Sequence, residues 1–257
     1  MGKFVIQRAK YISYWVLVFI ISLPFTSVLA KDSKLKVFAS TGLDKPLSEL
    51  ATMYVEKNGI NIEIIAGAVS KDWILKAQKT GDIIVCGAEY QLNQIISTHP
   101  QLIDTSSRTS LTPRMTGLLV RKGSQKKIAS FSDLGTAGIQ VMVVDGADQT
   151  GLWEDMTAKR DMIAKLQKNI IVSAKSNAEA IELWNTRRGL DAWITFQSWH
   201  HYMKDSTRLI KVLDHYKRFR GTPVAVINAS KKKDQAKQFI EFLKSKGNLK
   251  TYQKWGW

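Results

Sequence analysis

The sequence predicts an α/β protein of two lobes, each a mainly parallel sheet flanked by helices, with two strands crossing between them. Three observations predict it. Strand and helix signals alternate along the chain, the alternation restarts after Pro113, and two late strands are followed by a helix that returns the chain to the first lobe. The expected division is 1–30 as a leader, 31–112 with 219–257 as lobe 1, and 113–218 as lobe 2. Chain length suits two modest cores.

The leader is read first because it is removed from the fold argument. Lys3, Arg8 and Lys10 make a basic start, residues 11–21 are apolar, and Val28-Leu29-Ala30 supplies small residues of the kind a signal peptidase accepts. Cleavage is expected after Ala30, which sends the rest of the chain out of the cytoplasm. An uncleaved anchor is the competing reading of the 19 residues 11–29, which approach the length of about 20 that a spanning helix needs. Pro24 and the small residues behind it favour cleavage.

In the first lobe, residues 34–39, 60–66 and 82–86 read as strands, and 45–58, 70–79 and 91–97 as helices by their apolar spacing. In the second, 115–120, 139–144 and 190–196 read as strands. A short helix begins at Ser132, a long amphipathic helix spans 150–167, and another spans 177–186. Strands at 208–213 and 222–227 follow, then a helix at 234–246 with Ala236, Phe239, Ile240 and Leu243 on its apolar face. The crossings are placed near Arg114 and Arg218.

The net charge is +16, three units of it in the leader. Such a surplus attracts anions of many kinds. No arginine-rich helix, zinc-finger spacing or RNA-binding aromatic signature accompanies it, so nucleic acid is not an expected partner. The lysines of 231–250 read as the solvated face of a helix. A single cysteine, Cys86, excludes an internal disulfide and follows three apolar residues in a strand, as a small core residue does.

Ligands of open α/β sheets collect beyond the carboxyl ends of strands, where helix N-termini offer unpaired N–H groups. Four strand ends here look alike: Ser40-Thr41-Gly42, Gly67-Ala68-Val69-Ser70-Lys71, Gly87-Ala88-Glu89-Tyr90 and Gly146-Ala147-Asp148-Gln149-Thr150-Gly151. Each combines glycine with a hydroxyl, amide or charged group near a helix start. Any one of them is ordinary capping; together they predict one cleft. Arg114, at the head of a crossing strand, offers a fork of donors to a carboxylate, sulfate or phosphate. Tyr216-Lys217-Arg218 at the second crossing repeats that logic. Glu154 and Asp155 fall in a first helical turn, where carboxylates offset the positive helix end. Asp148 has no such explanation.

Signals for catalysis are thin. There is no Gly-x-Ser-x-Gly or His-Glu-x-x-His motif, and the adjacent His200 and His201 diverge on a helix. No catalytic residue, metal site or cofactor is predicted. The aromatics Trp184, Trp193, Phe196, Trp199 and Tyr202 read as a core or lobe interface, while Trp73 and Trp153, just after glycine-containing loops, read as shaping the cleft.

Gly67 to Trp73, Gly87-Ala88-Glu89-Tyr90, the Gly146 to Asp155 run, Leu183-Trp184, Asp191-Ala192-Trp193 and the closing Lys254-Trp255-Gly256-Trp257 resemble the accessory colonization factor AcfC family. The likeness runs through nearly the whole chain after the leader. That family is similar to type II periplasmic binding proteins of ABC transporters, in the branch of sulfate and molybdate binders. The resemblance implies a two-lobed periplasmic binding protein that closes on a small anion: an oxyanion, or a carboxylated or phosphorylated metabolite such as citrate or phosphoglycerate. It implies contacts from Ser40, Thr41, Ser70, Lys71, Glu89, Tyr90, Arg114, Gln149, Thr150 and Gly151. A membrane permease and a second copy of the chain are the partners it suggests, and the residues leave both open. A role in host colonisation, as a surface adhesin or antigen, is the alternative it carries. Two departures stand out: Asp148 where glycine is usual, and a 67–73 loop without the expected prolines.

Overall fold

The computed structural model describes Met1 and residues 34–157 and 162–257. The expected signal peptide, 1–30, lies outside the described residues, as do positions 158–161 of the helix expected over 150–167.

The first strands are built from apolar residues in period two with both faces covered. In β1 (Leu35–Ser40), β3 (Ile83–Val85) and β9 (Phe219–Ile227), alternate side chains enter two separate cores. Val37, Ala39, Ile83, Val85, Val224 and Val226 pack under α1 (Asp44–Asn58), α7 (Lys233–Lys244) and α8 (Leu249–Lys254). Phe38, Ile84, Cys86, Ala225 and Ile227 face the other way, against α2 (Lys71–Thr80) and α3 (Glu89–Thr98). Strand β2 (Ile62–Gly67) completes this half as its edge.

The other half repeats the plan. Leu118 and Val120 of β4 (Ile103–Arg121), Val141 and Val143 of β5 (Val141–Val144), and Ala192 and Ile194 of β7 (Ala192–Phe196) fill one core with Phe131, Met156 and Leu166. Leu119, Met142, Val144 and Trp193 turn to the opposite core with Trp184 and Trp199. That core is the expected aromatic cluster, with Trp193 and Trp199 stacked at 6.0 Å.

Pairing runs β2-β1-β3-β9-β4-β7-β5-β6, and β8 (Thr207–Ile210) pairs with β4. Pairs β1–β2, β1–β3, β5–β6 and β5–β7 are parallel. Strands β4 and β9 run antiparallel to their partners and carry the chain from one half to the other. They are the crossing strands expected near Arg114 and Arg218. The register of β4 shifts between Leu111 and Arg114, around Pro113, whose missing N–H cannot serve a ladder.

The described elements differ from the sequence reading or add to it at several places. Strand β4 starts at Ile103 rather than 115; its first half, Asp104-Thr105-Ser106-Ser107-Arg108-Thr109-Ser110, is too polar to announce a strand and is carried by pairing with β9. The expected helix 150–167 is described as α4 (Leu152–Thr157) and α5 (Ile163–Gln167). Strand β6 (Ile170–Ala174) was not expected: its run of five residues is a short edge strand that leaves Ile171 half exposed. Residues 197–201 form a 3-10 turn, and α8 follows the long α7.

Cys86 is fully buried, and burial pushes its thiol up to about 12. At pH 8 the folded protein should therefore alkylate about a thousandfold more slowly than a free cysteine. Mass spectrometry after iodoacetamide treatment, with and without denaturant, checks this; rapid labelling of the native protein would show an opened core.

Candidate functional site

Strands β1, β2, β5 and β6 end around one cavity of about 130 Å³. Its lining follows each strand in turn: Ser40 and Thr41 after β1, Ala68 and Val69 after β2, Ala147 after β5, and Lys175, Ser176, Asn177 and Ala178 after β6, with Gln91 of α3 beside them. The last four residues lead into α6 (Asn177–Thr186), whose N-terminus is capped by Ser176 accepting from the Glu179 amide. Hydroxyls, amides, a helix start and one lysine thus meet where an α/β sheet gathers ligands.

A buried polar chain stands behind the cavity wall. Ser40 Oγ donates to Gln91 Oε1 at 2.8 Å, and that oxygen also accepts from the Gly87 amide at 2.9 Å. The Gly87 carbonyl accepts from Arg114 Nη2. Arg114 pairs with Asp148 at 2.7 Å, both side chains 1% exposed. Asp148 Oδ1 accepts from Asn177 Nδ2 at 3.1 Å, and Asn177 Oδ1 accepts from Gln149 Nε2 at 2.6 Å. The chain joins the end of β1 to the start of α6 through a crossing strand.

Asp148 is thereby explained. It is the counter-ion of Arg114, whose guanidinium also lies 3.9 Å from the Phe196 ring centre. Such a pair holds together because each charge removes the other's burial cost.

Tyr90 ties α3 to the turn after β5. Its hydroxyl donates to the Ala147 carbonyl at 2.8 Å and accepts from the Thr150 amide at 3.0 Å. Burial holds the phenol above its ordinary pKa, so it remains a donor at neutral pH. Replacing Tyr90 with Phe removes both bonds, each worth about 0.5–1.5 kcal/mol. A drop in melting temperature of a few degrees checks this, since each kcal/mol is worth about 2–4 °C at this size.

Of the residues singled out from sequence, Ser40 and Thr41 line the cavity, and Tyr90, Arg114, Gln149 and Thr150 stand around or behind it. Ser70 caps α2, its Oγ accepting from the Trp73 amide, and Lys71 next to it is exposed. Glu89 pairs with Arg108. Gly151, at φ 69°, turns the chain toward α4. The cations of the second crossing are used locally: Lys217 pairs with Asp214, and Arg218 donates to the His215 and Lys217 carbonyls. Trp73 packs edge-on to Phe38, and Trp153 packs against the core of the second half.

Sequence reasoning missed Gln91 and the 175–178 turn. The signal for the turn was the apolar run 170–172 followed by Ser176-x-x-Glu179, a helix-start pattern. Among the described residues, no cluster of His, Cys, Asp and Glu could hold a metal ion.

The chain is similar to solved structures along most of its length. PEB3 from Campylobacter jejuni superposes with a TM-score of 0.76 at 25% identity, over 87% of this chain and 99% of that one. PEB3 with bound L-phospholactate gives 0.77 at the same identity and coverage. The sulfate-binding protein SubI from Mycobacterium tuberculosis gives 0.69 at 16% identity, over 87% and 86% of the two chains. The periplasmic molybdate-binding protein of Azotobacter vinelandii gives 0.62 at 16%, over 87% and 98%. The last two share the fold, that of type II periplasmic binding proteins, as the likeness to the AcfC family implied. The profile of the bacterial extracellular solute-binding proteins matches residues 35–257, and the chain belongs to that family of binding proteins, which are not enzymes.

Proposed function

We propose that the protein is a periplasmic receptor that closes its two lobes on a small anion in the cavity beyond β1, β2, β5 and β6. The observation that carries this reading is the lining itself: Ser40, Thr41, Ser176, Asn177 and Gln91 supply hydroxyl and amide groups, and Lys175 a charge. A volume of about 130 Å³ suits a compact oxyanion or a short phosphorylated or carboxylated acid better than the drug-sized ligands of roughly 300–1,000 Å³ pockets. PEB3's binding of L-phospholactate supports an anion as the solute.

In this reading Ser40, Thr41 and the 175–178 turn touch the solute, Tyr90 and Thr150 hold the walls together, and Arg114 and Gln149 act from behind. The lobes divide near 112/113 and 218/219 and hinge where β4 and β9 cross. The leader 1–30 exports the chain, and an ABC permease receives the solute.

A thermal-shift panel with sulfate, molybdate, phosphate, citrate and phosphoglycerate tests the reading. A solute at 100 times its Kd adds about 2.7 kcal/mol to folded-state stability, or roughly 5–11 °C at about 2–4 °C per kcal/mol. A selective rise is expected. No rise with any anion, for a folded sample freed of co-purified solute by refolding, would overturn the reading.

A further inference from the structure

We propose that Asp148 is a built-in counter-ion that occupies the anion seat of Arg114, so that the cavity takes a solute with one anionic head and turns away one whose second anionic group needs that guanidinium. The inference rests on the reading of the cavity as the solute seat and names the class of solute it accepts.

An arginine fork placed beside a cavity ordinarily serves an anion. Here Arg114 is already served. Asp148 Oδ2 lies 2.7 Å from Nη2, the Gly87 carbonyl accepts from the same nitrogen, and the Phe196 ring covers the guanidinium. The seat is tightly built: a Cβ on Gly87 would lie 2.3 Å from Asp148 Oδ2 and 2.8 Å from Arg114 Nη2. Glycine alone leaves room for the pair.

The carboxylate is also one layer from the cavity. Its neighbour Ala147 and its hydrogen-bond partner Asn177 both line the space. Removing the Asp148 side chain therefore extends the cavity to Arg114, whose Nε is buried without a partner and could donate as well. With the pair intact, Arg114 and Asp148 cancel, and Lys175, largely exposed and only loosely paired with Asp145 at 4.0 Å, is the cation at the wall. One anionic head has that cation beside it; a second head has no cationic partner in a confined space.

The test uses Asp148→Ala, with Asp148→Ser as a second variant that also vacates the seat while keeping a hydroxyl there. Melting temperature is read in acetate and in chloride at matched ionic strength. Calorimetry then compares sulfate and phosphate with citrate and phosphoglycerate. The variants should melt below wild type, recover in acetate but not chloride, and shift their preference toward the two-headed anions by about tenfold. The acetate gain of each variant should exceed whatever acetate adds to wild type through the cavity itself. Wild-type anion binding with no acetate rescue of either variant, or with an unchanged preference, overturns the proposal. If wild type binds none of the anions, the cavity reading and the selectivity fall together, while acetate rescue still decides whether Asp148 fills a seat.

Discussion

Replacing Arg114 with Met should lower stability by about 3–5 kcal/mol, because it leaves the Asp148 carboxylate buried without its partner. At about 2–4 °C per kcal/mol, the melting temperature should fall by roughly 6–20 °C. The paired change Arg114→Met with Asp148→Leu should recover most of the loss, since a hydrophobic pair of similar volume replaces a buried ion pair at little cost. Thermal denaturation followed by circular dichroism decides it. An arginine lying in a surface loop would change stability by no more than about 0.5 kcal/mol.

Replacing Gly146 with Ala should disrupt the cavity from the other side. A Cβ there would lie 2.3 Å from the Lys175 carbonyl oxygen, so the turn after β5 and the turn after β6 cannot keep their present approach. The cost should be about 1–3 kcal/mol, as for other overpacked sites. Because Ala147 and the 175–178 turn line the cavity, solute affinity should fall about tenfold or more, about 1.4 kcal/mol. Gly135 makes the control: its Cβ would meet the Lys165 side chain at 3.4 Å, an ordinary contact. Calorimetry on Gly135→Ala should match wild type, and equal affinities for all three proteins would remove the turn-to-turn approach from the account.

The fold was legible wherever a strand carried apolar residues on both faces. Residues 34–39, 82–86 and 139–144 announced buried strands because Phe38 and Ile84 in one half, and Met142 in the other, point into a different core from their neighbours. The polar half of β4 was not legible, since hydrogen bonding to β9 makes it a strand and a single sequence does not display that pairing. Strand β6 was hidden by its edge position, which leaves Ile171 and Ser173 exposed rather than in a continuous apolar run, and with it went the turn 175–178.

The site was legible in its glycine-bearing turns and less so in its charges. Ser40 and Thr41, singled out because strand ends gather ligands, line the cavity. Arg114 was read as a donor fork for an anion; its partner in the fold is Asp148, 34 positions along the chain, and local spacing cannot show such a pair. Asp148, which the sequence left without a local explanation, is accounted for only by the buried Arg114 that the fold brings to it.

The central claim is that the solute sits among Ser40, Thr41, Val69 and the 175–178 turn. Amide chemical-shift mapping by NMR, with the anion that raises the melting temperature most, tests this most directly. The account predicts the largest shifts at the amides of Thr41, Val69, Ser176, Asn177 and Ala178, at the cavity wall. Shifts confined to the lysine-rich start of α7, around Lys231, Lys232 and Lys233, with none at the cavity, would contradict it.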